Sequence, residues 1–301
     1  MRAALALMSL ASTVACVGVV ALARADEPSL VLAGPAMGTT YRVMLAEPVP
    51  GLERGEVHRE VEMVLDKLDR ALSTWREDSD SSRFNRAAPG EWVAVSPELV
   101  AIIEIAREVH EQSAGAFDMT VASAATGRVA GMRHLRSRAD PPAIMKEAGG
   151  LALDLGGIGP GYAVDAIGAR LVEIGSPAHL VELGGEVRAW GEPAPGRPWR
   201  VLVRQGLPAG GVTKSQRLVE LASGAALGTA TCRPGRSPLD PRTGLPCAGT
   251  VGSITVRAAS CAAADAWAVA AIVLGLEPEA DGLVTAPSRP AAPPGARRAA
   301  P

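Results

Sequence analysis

The sequence predicts an α+β fold: mixed, largely antiparallel sheets flanked by helices, over residues 30–276. Three observations carry this. Residues 57–72 and 97–112 repeat apolar side chains at helical spacing, with charged residues opposite. After residue 178, short alternating runs follow one another across glycine turns, as hairpins do. A doubly wound dinucleotide fold, the structural rival, would repeat strand–helix–strand units, and the chain places hairpin-like runs there instead.

In chain order, residues 30–33 read as a strand, 34–40 as a turn and 41–45 as an alternating strand. Met37, in that turn, either fills the core or lies against a flat ligand. The helix over 57–72 places Val57, Val61, Val64, Leu65, Leu68 and Leu72 on one face, and residues 73–85 read as a polar loop. Trp75, in that loop, either stacks on a planar ligand or plugs the loop onto the core. A short strand at 92–95 leads to Ser96, a helix cap followed by Pro97 at the first helical position. That helix ends near Gln112. Residues 116–121, Ala-Phe-Asp-Met-Thr-Val, either hold a polar ligand or start a strand with an Asx-type turn. Residues 122–150 read as a basic surface segment, with Pro141-Pro142 opening a short helix.

Residues 151–155 read as a strand. Glycines follow at 156, 157, 159 and 161, and then an apolar helical repeat at Ala163, Ile167, Leu171 and Ile174. Glycines admit a ligand close to the backbone, and a helix start offers unpaired N–H groups to an anion. This strand, loop and helix are either a phosphate or nucleotide loop or a tight turn with no ligand. Asp154 and Asp165 bracket it. Strands follow at 178–183, 186–191, 199–204, 218–221, 225–229 and 251–258. Asp240-Pro241-Arg242-Thr243-Gly244 is a turn signature, and residues 260–274 form an alanine-rich helix carrying Asp265.

The ends read differently. In residues 1–25 a positive Arg2 precedes an apolar run, and Ala23-Arg24-Ala25 fits a signal cleavage site. The chain is therefore expected to be exported to a bacterial periplasm. A weaker lipoprotein box ends at Cys16, which would be lipidated and attach the N-terminus to the inner membrane; an uncleaved anchor is the third alternative. Residues 277–301 read as a disordered Ala/Pro/Arg-rich tail. The formal net charge is −2 and aromatics are 3% of the 301 residues, with no basic block, which argues against a nucleic-acid partner. Beyond Cys16 the cysteines are Cys232, Cys247 and Cys261, so at most one disulfide forms within the chain and one thiol stays over. They form no Cys-x-x-Cys pair or His/Cys cluster, which argues against zinc.

Taken together, an ordered set of motifs resembles the FAD:protein FMN transferase family, the ApbE-type flavin transferases. The set begins with Met37-Gly38-Thr39, Leu72-Ser73-Thr74-Trp75 and residues 79–85. It continues with Gly115-Ala116-Phe117-Asp118-Met119-Thr120-Val121, the glycine loop from Asp154 to Asp165, and Leu183-Gly184-Gly185 with Glu186. Asp240-Pro241-Arg242-Thr243-Gly244 and Ala264-Asp265-Ala266 complete it. The resemblance implies an enzyme that uses FAD as substrate with a divalent metal, Mg2+. It cleaves the pyrophosphate, attaches FMN by a phosphoester to a threonine of an acceptor protein, and releases AMP. It implies that Met37, Trp75, Ala116, Phe117, Asp118 and Asp154 contact FAD, and that the Gly157 carbonyl and Asp265 carboxylate hold the metal.

Four elements depart from the family pattern. One is the Ala-Thr-Ser-Gly element, which reads Gly228-Thr229-Ala230-Thr231 here. Pro160 stands where a charged residue is usual, Val269 where a second side-chain metal ligand is usual, and Ser237 where a histidine commonly sits as a proton acceptor. No catalytic base is therefore assigned. The alternatives to an active transferase are an FAD-binding or FAD-hydrolysing relative and a catalytically silent scaffold.

Overall fold

A computed structural model describes residues 20–21, 28–121, 131–205, 215–232, 237–247 and 252–287. The elements in chain order begin with strands β1 (Val20–Ala21), β2 (Leu30–Ala36) and β3 (Thr39–Leu45). Then come helices α1 (Arg54–Leu72) and α2 (Asp80–Arg86), strand β4 (Val93–Ala94) and helix α3 (Pro97–Gln112). Strands β5 (Leu135–Ala139) and β6 (Pro142–Lys146) precede helix α4 (Gly159–Glu173). Strands β7 (His179–Leu183), β8 (Glu186–Trp190), β9 (Trp199–Gln205), β10 (Ser215–Leu221), β11 (Ala226–Thr231) and β12 (Ser253–Ala258) follow. Helix α5 (Cys261–Leu274) and strand β13 (Val284–Thr285) end the described chain.

The α+β expectation holds. The main sheet runs β13-β12-β11-β8-β7-β3-β2, antiparallel at every pair except β12–β13. Smaller antiparallel sheets are β1-β9-β10 and β4-β6-β5. The hairpin β2–β3 turns on Met37 and Gly38, with φ of 48° and 77°. Positive φ at both central residues is what a two-residue hairpin turn requires.

One face of the main sheet carries α4 and α5, with α1 and α3 packed outside them. Helix α5 is apolar almost all round and buries Ala264, Ala266, Trp267, Ala268 and Ala271. A helix without a polar face belongs between layers. Ser260 caps its start by accepting the Ala263 N–H, and Gly275 ends it in the left-handed region at φ 65°. The other sheet face packs on β9 and β10 through Met44, Leu180, Val187, Trp199 and Val201.

Several local expectations are corrected. Residues 151–155 are extended but belong to no sheet. Side chains hold them instead: the Leu153 N–H donates to Asn85 Oδ1 (2.8 Å), and buried Lys146 donates from Nζ to the carbonyls of Leu151 and Asn85. The polar stretch 73–85 contains α2. Ser79 caps that helix, while Ser81 Oγ donates to the Ala71 carbonyl and Ser82 Oγ to Ser73 at the end of α1. The serines hide this helix from a hydrophobic-periodicity search because their buried partners are carbonyls.

Residues 116–121 form a turn rather than a strand. Pro141-Pro142 sits at the β5–β6 hairpin rather than a helix start. The segment expected to be a tail from 277 supplies β13, paired parallel with β12. Residues 288–301 and the leader, apart from Val20–Ala21, lie outside the described residues. No helix among the described residues is long and apolar enough to cross a membrane.

Candidate active site

Residues 154–160 separate two cavities. The inner one, about 370 Å3, is lined by Ala116, Phe117, Asp118, Asp154, Gly157, Asp265 and Val269, together with Thr39, Glu186, Thr229 and Thr231. The outer one, about 430 Å3, is lined by Met37, Leu72, Ser73, Trp75, Arg76, Asp69 and Asp154. Asp154, Gly156 and Pro160 line both. Every residue that the motifs single out as a ligand contact thus borders one of two cavities sharing a wall.

Close backbone packing sets this wall. A Cβ at Gly161 would lie 2.4 Å from the Cys261 carbonyl oxygen, so the α4–α5 crossing admits no side chain there. Gly228 allows the same approach of β11 to α5: its Cβ would lie 2.3 Å from the Asp265 nitrogen. These two contacts fix Asp265 at the floor of the inner cavity. Asp165, the second carboxylate bracketing the loop, lines neither cavity. It accepts the Cys261 and Ala262 N–H groups, each at 3.0 Å, and pairs with Arg188 at 2.6 Å. It is an anchor for the start of α5.

The N–H groups at the start of α4 are largely spoken for. Gly156 donates to Asp154 Oδ1 (3.0 Å), Ile158 and Gly159 donate to the Leu155 carbonyl, and Gly161 donates to Asp265 Oδ2 (3.1 Å). Pro160 has no N–H. The protein itself thus satisfies the N–H groups of Gly156, Ile158, Gly159 and Gly161.

Acidic groups dominate the inner cavity. Asp265 is 4% exposed, and burial raises its pKa to about 7, with the Gly161 N–H opposing the shift. Glu186 is buried beside the Gly184 turn. Asp118 is buried in an Asx-type turn: Oδ1 accepts the Thr120 N–H (2.8 Å) and hydroxyl (2.6 Å), and Oδ2 accepts the Met132 N–H (3.1 Å). The Asx-type turn expected there is present, and its carboxylate lines the cavity wall. Among the described residues lining this cavity there is no Lys, Arg or His. Val269 puts a methyl group beside Gly157, where a Gly157 Cβ would meet it at 2.9 Å. Ser237 sits below the lip formed by Pro238, Leu239 and Pro241, its Oγ 3.2 Å from Cys232 Sγ.

The outer cavity has a different character. Trp75 is 95% exposed, so it does not plug the loop onto the core. Arg76 is held by Asp69 (3.3 Å) and Asp78 (3.2 Å). Met37 reaches the loop from the β2–β3 turn, its Cε 3.5 Å from where a Gly159 Cβ would stand. Thr39, Glu186, Thr229 and Thr231 were not singled out as site residues from sequence. Thr39 and Glu186 lie inside the quoted motifs, which was the available signal. Thr229 and Thr231 lie in Gly228-Thr229-Ala230-Thr231, the stretch that stands in place of the family's Ala-Thr-Ser-Gly element.

A model described as the ApbE family matches residues 37–289. An FAD:protein FMN transferase of Vibrio cholerae is 28% identical over 297 residues, spanning 88% of this chain and 87% of that protein. Among solved structures, the flavin transferase ApbE from Vibrio cholerae superposes with a TM-score of 0.72 at 28% identity, covering 81% of this chain and 86% of that one. The apo form of the Pseudomonas stutzeri flavinyl transferase ApbE gives 0.72 at 31% identity, covering 81% and 84%.

Proposed function

The chain belongs to the ApbE family, and on that premise we propose that it is an FAD:protein FMN transferase. It cleaves the pyrophosphate of FAD, joins FMN through a phosphoester to a threonine of an acceptor protein, and releases AMP. The observation that carries this reading is the pair of cavities meeting at Asp154, Gly156 and Pro160. A long substrate with two ends and a diphosphate between them suits two cavities joined at a shared wall. Trp75 and Met37 offer an aromatic face and a polarizable thioether to a flat ring. The loop backbone and the Asp118 turn position the substrate for an aligned phosphoryl displacement.

Charge supports a divalent cation. A diphosphate is anionic, the inner cavity's ionisable side chains are carboxylates, and the α4 N–H groups named above are already engaged. A hard cation between carboxylate and phosphate resolves that repulsion, and Mg2+ fits oxygen donors with retained waters. Asp265 and the Gly157 carbonyl are the groups that would hold it. Bound there, it would neutralise phosphate charge as a Lewis acid. The Val269 side chain offers no oxygen, so a cation held by Asp265 and the Gly157 carbonyl would need its remaining donors from water or substrate.

The test is incubation of the purified protein with FAD, Mg2+ and a threonine-bearing acceptor protein. The acceptor is expected to carry covalent flavin fluorescence through denaturing electrophoresis. No binding at saturating FAD and Mg2+ would sink the reading. The apolar Val269 beside Gly157 favours one second reading, FAD hydrolysis, in which FMN and AMP appear without a labelled acceptor. The apolar leader and its Ala-Arg-Ala site further support a periplasmic location, with lipidation at Cys16 the route to membrane attachment; mass spectrometry of the mature N-terminus tests it.

A further inference from the structure

We propose that Cys232 and Cys247 are a modification site: they form an intramolecular disulfide that fastens the lip of the inner cavity to the end of β11. This goes beyond flavin transfer and does not rest on it.

Both residues are thiols in the structure, both are half-buried, and both pack against the same core cluster. They approach one dipeptide from two sides. Cys232 Sγ lies 3.2 Å from Ser237 Oγ, and the Cys247 N–H donates to the carbonyl of the next residue, Pro238, at 2.9 Å. Cys232 itself is fixed by its N–H to the Gly252 carbonyl (3.2 Å), next to the start of β12. Of the residues between the cysteines, those from 237 onward form a small turn. Leu239 bridges to Pro246, the Asp240 N–H donates to the Leu245 carbonyl (2.8 Å), and Asp240 pairs with Arg242 at 2.9 Å. Cys247 therefore stands at one foot of a closed turn whose other foot, Ser237, touches the Cys232 sulfur. Burial first, and the neighbouring Cys232 sulfur second, push the Cys247 thiol up, which agrees with two sulfurs in one another's field.

The third thiol is built differently. Cys261 is 0% exposed at the start of α5, with its Sγ directed to the Leu227 carbonyl (3.6 Å), so an oxidant cannot reach it without unfolding. The pair is thus Cys232–Cys247, with Cys261 the thiol left over.

The step is thiol–disulfide exchange with a small or protein disulfide, for which oxidised glutathione is the probe. One cysteine thiolate attacks a sulfur of the oxidant, giving a mixed disulfide and one released thiol. The second cysteine thiolate then attacks the protein sulfur of that mixed disulfide and displaces the other thiol. Two thiol protons and two electrons pass to the oxidant, and one S–S bond replaces another. The lip residues Pro238, Leu239 and Pro241 line the inner cavity, so the bridge fixes one edge of its mouth.

The experiment treats the folded, full-length protein with oxidised glutathione, blocks remaining thiols, and maps tryptic peptides without reduction. Trypsin cuts after Arg236 and Arg242, which puts the two cysteines on separate peptides. The expected result is one species in which these peptides are joined, lighter by two hydrogens than their sum and separated by reduction, with Cys261 alkylated only after denaturation. In Cys247→Ser the same treatment should leave a glutathione adduct on Cys232 and no joined peptide. Two separate glutathione adducts on the wild-type protein, or unmodified thiols at both positions, would overturn the proposal.

Discussion

The inner cavity buries its functional groups while the outer cavity displays them: Asp265 is 4% exposed and Trp75 is 95% exposed. Asp265 rides on a helix pressed between a sheet and two other helices, and Gly161 and Gly228 let the backbones close around it. Trp75 rides on the turn after α1, where only its backbone N–H, donated to Ser73 Oγ at 3.3 Å, ties it locally. A desolvated carboxylate acts strongly on nearby charge because little water screens it. An exposed indole adds contact area to a flat ligand and little to the fold. The contrast teaches that the inner wall is part of the packed frame, whereas the outer wall's indole stands apart from it; under the proposed function, the inner wall would serve chemistry and the outer wall capture.

Substitutions can break this contrast. The largest effect is expected from Gly161→Ala, whose Cβ would meet the Cys261 carbonyl oxygen at 2.4 Å and its carbonyl carbon at 2.7 Å. Neither backbone can yield alone, so α4 and α5 must separate. The loss of stability should exceed about 3 kcal/mol, at the upper end for overpacking. A urea melt unchanged from wild type would show that the crossing does not hold the inner wall.

The frame behind both cavities should then respond to acid. His179 is fully buried, stacks on Trp190 at 4.9 Å, and reaches the Gly168 carbonyl of α4 at 3.2 Å. Burial lowers its pKa to about 4. The unfolded chain binds its proton near pH 6.5, so between that value and about 4 the unfolded state holds more protons. This histidine's contribution is complete above about pH 6.5 and is lost as pH falls toward 4, on the order of 3 kcal/mol in all. Thermal melts from pH 7 to 4 should show the slope, and His179→Gln should flatten it.

Within the site, Asp265→Ala should lower FMN transfer about 100-fold, or about 2.7 kcal/mol, with the fold retained. The split between binding and turnover is informative: the loss should fall on kcat. A loss confined to KM would place Asp265 with the capture wall. Trp75→Ala is the smallest of the four. FAD binding should weaken about 10-fold, or about 1.4 kcal/mol, with melting unchanged. A lowered melting temperature would mean that this side chain supports the fold after all.

Much of the fold was legible because it follows apolar spacing. Helices α1, α3 and α5 and the hairpin β7–β8 lie where their side-chain pattern predicts, and Ser96 and Ser260 cap as their chemistry requires. What failed was structure held by polar groups. Helix α2 is fixed by serine hydroxyls on the carbonyls of α1. Residues 151–155 are apolar like a strand, but Asn85 and Lys146 take the place of a neighbouring strand. Those partners are more than 60 residues away in the chain for Leu153 with Asn85, and no local pattern reports them.

The candidate site divides the same way. By itself the sequence determined which residues border the two cavities, because ordered motifs fix Met37, Trp75, Asp118, Asp154 and Asp265 in one family pattern. Only the tertiary structure decided what each does. It sent Asp165 to the start of α5, turned Asp118 into its own loop, and engaged the Gly156, Ile158, Gly159 and Gly161 N–H groups of the glycine loop. It also left Asp265 desolvated at the inner floor. The reason is physical: a carboxylate's role depends on which donors, charges and water surround it, and those arrive from elements distant in sequence.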